Sequence, residues 1–365
     1  MTKPSETLWE IEPHTKAKHE ILRRYLGAWF PILGSKNSRI VYIDGFCGPG
    51  QYLGGEDGSP IIALNEAIKH KSILANSKIT FLFIDENADR INHLKNELSQ
   101  LNIPSNYLVL PIVNEFENTL TGILDRFQQS GGQLAPTFAF IDPFGFKGAP
   151  FSLVEKLLKN KSTEIFVNIM VDHVNRFVDH PSVATRLHIK SLLGASDVEI
   201  DQVINDPIDR ILAFRQLYQK NLHKHAKFVR FFEMRDSRNR IIYYLFFAGN
   251  HPLGHVKMKE AFWKVDSQSG FAFSDRTDPN QLVIFEVFDP SANLAQLLKT
   301  HYAGTTQVAE AIISYVEDET AYTEKQAKKA LIFLEVRNEI IVHPNKSDGK
   351  KRMKSTFPDG VIIKF

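Results

Sequence analysis

Four short runs of mostly apolar residues punctuate the first half of the chain: RIVYID (39–44), KITFLFID (78–85), TFAFID (137–142) and TEIFVNIM (163–170). Each is too short for an ordinary helix and rich in β-branched or aromatic side chains, as expected of strands covered on both faces. A fifth run, NYLVLPIV (106–113), predicts a further strand. Between them, SPIIALNEAIKH, ENADRINHLKNELSQL, NTLTGILDRFQQ and PFSLVEKLLKN place apolar residues three and four apart, the spacing of amphipathic helices. Strand and helix in alternation predict an α/β fold with a doubly wound, Rossmann-like sheet. Right-handed crossovers then bring the strand C-termini, and with them Asp44, Asp85 and Asp142, to one edge, where ligands bind in such sheets.

After a helical stretch at 183–225, KFVRFFEMRDSRNRIIYYLFFAG predicts an antiparallel hairpin around the polar turn RDSRNR, at one side of the sheet. From residue 289 the pattern changes again. LAQLLKTHYA, TQVAEAIISYVED and TEKQAKKALIFLEVRNE predict three helices, and IIVHP and GVIIKF predict two strands around NKSDGKKRMKS. Three helices closed by a hairpin is the plan of a winged helix, giving domains at 1–288 and 289–365.

Composition narrows the reading. The chain has 365 residues, long enough for two cores. Lysine plus arginine (44) against aspartate plus glutamate (42) leaves +2, too little to bind nucleic acid through overall charge, though not too little for a local patch. A single cysteine, Cys47, excludes a disulfide framework or a multi-cysteine metal site within one chain. His223 with His225, and His251 with His255, have metal-like spacing but no acidic or cysteine partner nearby, so no metal site is expected. The polar N-terminus and short apolar runs point to a soluble, cytoplasmic protein.

The candidate chemistry begins at VYIDGFCGPG (41–50), where a strand ends in Asp44 and breaks into Gly45, Gly48 and Gly50. Glycines allow turns closed to other residues and let a ligand approach the main chain. A dinucleotide site has its glycines in the order G-x-G-x-x-G with an acid about 20 residues on. Here the order is reversed and the acid comes first. A carboxylate repels a pyrophosphate but favours the cationic amino acid end of S-adenosylmethionine. Asp85 would then accept hydrogen bonds from ribose hydroxyls. The alternative is that both acids cap the following helices.

In FAFIDPFGF (138–146), Pro143 fixes the turn and leaves Asp142 as an acceptor at the edge, beside the flat faces of Phe144 and Phe146. Acceptors beside an aromatic plate suit the exocyclic amino group of a stacked base. The alternative is an ordinary turn with both rings in the core. Polar residues Asp172, His173, Asn175 and Arg176 follow the fourth run and rank behind Asp142.

YIDGFCGPGQYLGGEDGSPIIAL, the preceding HTKAKHEILRRYLGAW, and FIDPFG, NIMVDHVNRF and MKEAFWKVD resemble the three-Cys-motif partner proteins over most of residues 8–266. The resemblance implies an S-adenosylmethionine-dependent methyltransferase-like domain, a C-terminal winged helix and a radical-SAM partner holding three cysteines. A more distant likeness to ribosomal RNA adenine N6-methyltransferases lies in a lysine-bearing N-terminal helix, the Y-x-D-x-x-x-G-x-G-x-Y loop and the acid–proline turn. By position it implies that Lys18, Asp44, Gly48, Gly50 and Ser59 line the cofactor site, that Asp85 holds the ribose, that Asn114 or Glu115 lies near the adenine, and that Asp142, Pro143 and Phe144 face the substrate. In one respect the chain departs from that pattern: acid–Pro–Pro–aromatic becomes Asp-Pro-Phe-Gly.

Basic residues supply a candidate nucleic-acid surface: Lys325 and Lys328 on the last helix, and Lys350, Lys351 and Arg352 in the turn that follows. A solvated loop, or a surface that docks an acidic protein, would look the same. The sequence therefore predicts a methyltransferase acting on an amino group of a nucleic acid base, or alternatively a non-catalytic adaptor of the same fold.

Overall fold

A computed structural model describes residues 6–145, 147–205, 209–266, 270, 272–274 and 290–365. The expectations for Phe146 and for the boundary at 288/289 lie outside these residues. Contacts divide the chain into two compact units, the first through residue 261 with 272–274, the second comprising 262–266, 270 and 290–365.

The first unit opens with α1 (Pro13–Gly34) and then alternates: β1 (Arg39–Asp44), α2 (Ser59–Lys69), β2 (Lys78–Asp85), α3 (Ala88–Ser99), β3 (Tyr107–Val113), α4 (Phe116–Gln129), β4 (Thr137–Ile141), α5 (Phe151–Lys159) and β5 (Thr163–Ile169). Four helices follow, α6 (Val171–Phe177), α7 (Val183–Leu193), α8 (Asp197–Ile204) and α9 (Arg210–His223), then the hairpin β6 (Phe228–Arg235) and β7 (Ile241–Gly249), then α10 (Pro252–Val265), whose residues from 262 on belong to the second unit, and the short β8 (Ala272–Ser274). The strands form one sheet in the order β3-β2-β1-β4-β5-β7-β6-β8. β1 to β5 are parallel, and β7 runs antiparallel between β5 and β6. This is a Rossmann-like, doubly wound sheet. Its order reverses between β1 and β4, and such a switch point opens a crevice beyond the strand C-termini.

Every residue of β4 and β5 is buried, which explains their unbroken apolar runs. On one face Tyr25, Trp29 and Phe30 of α1 pack their rings among Tyr42, Phe81 and Phe138. On the other, Ile43, Ile141, Ile165 and Val167 join Phe151, Leu157, Phe214 and Tyr218 in one cluster. β3 is the outer strand and tolerates Pro111, which cannot donate to a ladder. β8 was not expected; three residues pairing with β6 leave too short a trace in the sequence.

The second unit contains α11 (Ser291–His301), β9 (Thr306–Val308), α12 (Ala309–Glu319), α13 (Glu324–Val336), β10 (Ile341–Lys346) and β11 (Val361–Lys364). The three helices and the closing hairpin lie where the sequence put them. Thr306–Val308, expected as the start of a helix, is instead extended and pairs with β11, making an antiparallel sheet β10-β11-β9. Two of those three residues are β-branched, which favours the strand. Leu294, Leu298, Ile312, Leu331, Leu334 and Ile363 form the core. Among the described residues, no helix is long and apolar enough to cross a membrane.

Candidate functional site

The loop after β1 is anchored on both sides. Gly45 N–H donates to Phe140 O of β4 and Cys47 N–H to Ile84 O of β2, each at 2.9 Å. Gly48 and Gly50 take φ of 63° and 85°, which favours glycine. The chain then makes an excursion carrying Tyr52 before Gly58 N–H returns to Gly50 O at 2.7 Å and α2 starts at Ser59. The cysteine is buried packing, as its neighbours imply.

Asp44 lies fully buried at the tip of β1, flanked by β2 and β4. Burial pushes its carboxyl up to about 7, and the charge of Asp142 adds to the rise; Ser59, the Phe46 N–H and Tyr42 oppose it. Tyr42 Oη donates to Oδ2 at 3.4 Å, while Oδ1 has no hydrogen-bond partner among the described residues. An unmatched buried carboxyl oxygen is costly in the free protein.

Asp85 accepts from the Gly48 N–H at 3.2 Å and from the Asn87 N–H at 2.8 Å, and Arg90 Nη1 lies 3.8 Å away. It both braces the glycine loop and lines a cleft of about 470 Å3 with Gly45, Glu86, Asn114, Glu115 and Phe116. Arg90, itself fully buried, lies beneath two rings, 5.0 Å from Trp9 and 6.0 Å from Phe144.

Asp142 follows β4 and lines a neighbouring cleft of about 430 Å3. Lys18 Nζ of α1 donates to its Oδ2, and Asn168 Nδ2 of β5 to its Oδ1 at 2.7 Å. The walls are aromatic: Trp9, Tyr52, Phe144 and Tyr243, with Pro143 completing the turn. Lys18 Nζ also lies 5.5 Å over the Tyr243 ring. Beside it, burial and the Lys18 charge hold His19 down to about 3, so this imidazole is neutral. Burial, then the carboxylates of Asp142 and Asp44, push the Tyr52 hydroxyl well up, keeping it a donor. Phe144 belongs to both clefts and is 40% exposed, so it stands at the mouth rather than in the core.

The fold thus brings Gly45, Asp85 and Asn114 into one cleft and Lys18, Asp142, Pro143 and Phe144 into the next. Asp44, at the end of β1, and Gly48, Gly50 and Ser59, between it and the start of α2, are buried and do not line either cleft. Sequence reasoning missed Trp9, Arg90, Asn168 and Tyr243. Tyr52 closes the Y-x-D-x-x-x-G-x-G-x-Y pattern and could have been read from it. Arg90 and Trp9 left no local signal, because their role comes from contact with each other. Asp172 and Arg176 pair with one another along α6 at 2.5 Å.

In the second unit, Lys325, Lys350 and Lys351 are exposed, whereas Lys328 pairs with Glu324 and Lys350 with Asp348 at 3.3 Å. Arg352 is different. Its side chain is 6% exposed, pairs with Glu335, donates to Thr356 O at 3.1 Å and lies 5.5 Å over Phe357. It therefore clamps the turn to α13 and has little left for a phosphate. Arg352→Ala is expected to destabilise this unit by about 1–3 kcal/mol, since it takes the partner from the partly buried Glu335 carboxylate. Lys350→Ala and Lys351→Ala should change stability by less than about 0.5 kcal/mol. Chemical denaturation of the three variants checks this.

No family model matches the chain, and no curated protein is significantly similar to it in sequence. Among solved structures it is similar to a Legionella pneumophila protein of the DUF519 family model, with 11% identity and a TM-score of 0.40 over 68% of this chain and 89% of that one. It is also similar to human methyltransferase-like protein 13 in complex with SAH (8%, TM-score 0.35, 76% and 97%) and to an SAH-bound Podospora anserina methyltransferase (12%, TM-score 0.29, 62% and 78%). These likenesses concern the fold alone. The class is a Rossmann-like, doubly wound α/β sheet, with the strand order and switch-point crevice described above.

Proposed function

We propose that this chain is an S-adenosylmethionine-dependent methyltransferase acting on an amino group of a nucleic acid base, in concert with a three-cysteine radical-SAM partner. One observation carries the reading: on neighbouring strands, a buried acid with an unmatched oxygen, Asp44, and an acceptor, Asp142, that lines an aromatic cleft, come close enough for one carboxyl to raise the other's pKa. The residues fit the cofactor. Asp44 would meet its cationic amino acid end, Asp85 or Glu86 its ribose hydroxyls, and Asn114 and Phe116 its adenine. When bound, S-adenosylmethionine supplies an electrophilic methyl group on a good leaving group.

The chain's own contribution is orientation. Asp142 accepts hydrogen bonds from the substrate amino group and turns its lone pair toward the cofactor cleft. Lys18 and Asn168 fix the carboxylate in place, and Trp9, Tyr52 and Phe144 stack on the base and exclude water. Lys325, Lys350 and Lys351 would hold the backbone of DNA or RNA, with the second unit acting as a winged helix.

A second reading, a non-catalytic adaptor that docks the partner or nucleic acid, is favoured by the occupancy of both Asp142 oxygens and by the missing second proline. Isothermal titration with S-adenosylmethionine, followed by tritium methyl transfer to DNA and RNA with and without the partner, separates the two. Cofactor binding with transfer to a polymer is the expected result. Binding without transfer under any condition leaves the adaptor, and no binding at all rejects both the cofactor and the enzyme.

A further inference from the structure

Parallel strands have two ends, and the end away from Asp44, Asp85 and Asp142 also opens into a cavity. About 460 Å3 lies where β4 and β5 begin, bounded by Pro136 and Ser162, by Tyr25, Trp29 and Leu33 of α1, and by α10. At its base is an acid. Glu164 is 6% exposed and its Oε2 accepts from Tyr25 Oη at 2.7 Å. Burial holds its carboxyl up at about 7, with Tyr25 and Trp29 opposing the rise.

Tyr25 and Trp29, both on α1, hydrogen-bond this carboxyl, and two glycines leave room for it. A Cβ at Gly249 would come within 3.0 Å of Glu164 Cγ, and a Cβ at Gly254 within 1.8 Å of Oε1. Any residue but glycine at position 254 would push the carboxyl out of its present place. A buried acid lining an otherwise apolar cavity is an arrangement that binding sites use to orient a ligand. At the mouth the charge changes sign. Lys36 and Lys161 are exposed there, while Lys257 is engaged by Glu260 at 2.8 Å.

We propose that this cavity binds a small apolar acid, with an N–H or O–H donor directed at Glu164, its body against Tyr25, Trp29 and Leu33, and its anionic group met by Lys36 and Lys161. The site is separate from the strand-tip clefts and does not depend on what they bind.

Indole-3-propionate carries these three features and serves as the probe, titrated calorimetrically into the full chain. Saturable one-to-one binding is expected, weakened at least about tenfold in the double variant Lys36→Glu/Lys161→Glu. Both lysines are exposed, so the variant keeps its fold, which a thermal melt verifies. The N-methylindole analogue, lacking the donor, and the propionamide, lacking the charge, should each bind more weakly than the parent. No saturable binding below about 10 mM overturns the proposal, and so does equal affinity for the charge-reversed variant or for both analogues.

Discussion

Asp44→Asn is expected to abolish cofactor binding while leaving the free protein as stable as before, or more so. The two effects have one cause. In the free protein the carboxyl is buried, partly unmatched and held at about 7, so removing its charge relieves a cost. With a cation beside it the same charge becomes an asset, and truncating one partner of a buried charge pair costs about 2–5 kcal/mol, or roughly 30- to 5,000-fold in affinity. The pH dependence follows with its sign. Because the carboxyl's pKa in the free fold is raised above its unfolded value, the folded protein holds the extra proton, and Asp44's contribution to stability declines as pH rises from about 4 to about 7. Binding of a cation needs the ionised form. Affinity should therefore rise about tenfold per pH unit up to about 7 and level off above it. In Asp44→Asn this slope should vanish. Titration calorimetry between pH 5 and 9 is the measurement, and a wild-type affinity that does not vary with pH would contradict the assignment.

The second large effect is at Asp142. Asp142→Ala should lower methyl transfer by at least about 10³-fold while changing cofactor affinity only a few-fold, because the residue lines the neighbouring cleft. It also strands Lys18, which is 7% exposed, so a loss of about 3–5 kcal/mol of stability should accompany it. Asp142→Asn is the cleaner test. It keeps an oxygen for Lys18, and Asn168 can turn its amide to match, yet it offers the substrate amino group one acceptor fewer. Single-turnover transfer with the cofactor saturating isolates this step. Full activity in the Asn variant would move the catalytic role elsewhere, with Asn168 and Tyr52 the nearest alternatives.

The strands of the parallel sheet were legible almost to the residue, because β1, β2, β4 and β5 are covered on both faces and carry unbroken apolar runs. The strand-tip acids were legible too, since a parallel sheet fixes where strand ends go. What could not be read was closure. Trp9 lies in a polar leader, Arg90 looks like a surface residue of α3, and Tyr243 belongs to a strand remote in sequence. Their meeting around Asp85, Lys18 and Phe144 depends on contacts between segments more than 80 residues apart. In the second unit a cluster of positive charge was visible in the sequence, but not that Arg352 turns inward. Only the spatial approach of Glu335 decides that.

The three tryptophans are distributed so that the molecule carries its own optical reporters. Trp9 stands at the rim of the Asp142 cleft, Trp29 in the wall of the Glu164 cavity, and Trp263 stacks on Tyr322 in the second unit. A guest at either end of the sheet perturbs a different indole. With Trp263 replaced by phenylalanine, emission from the remaining pair would report which end has been filled without any attached dye.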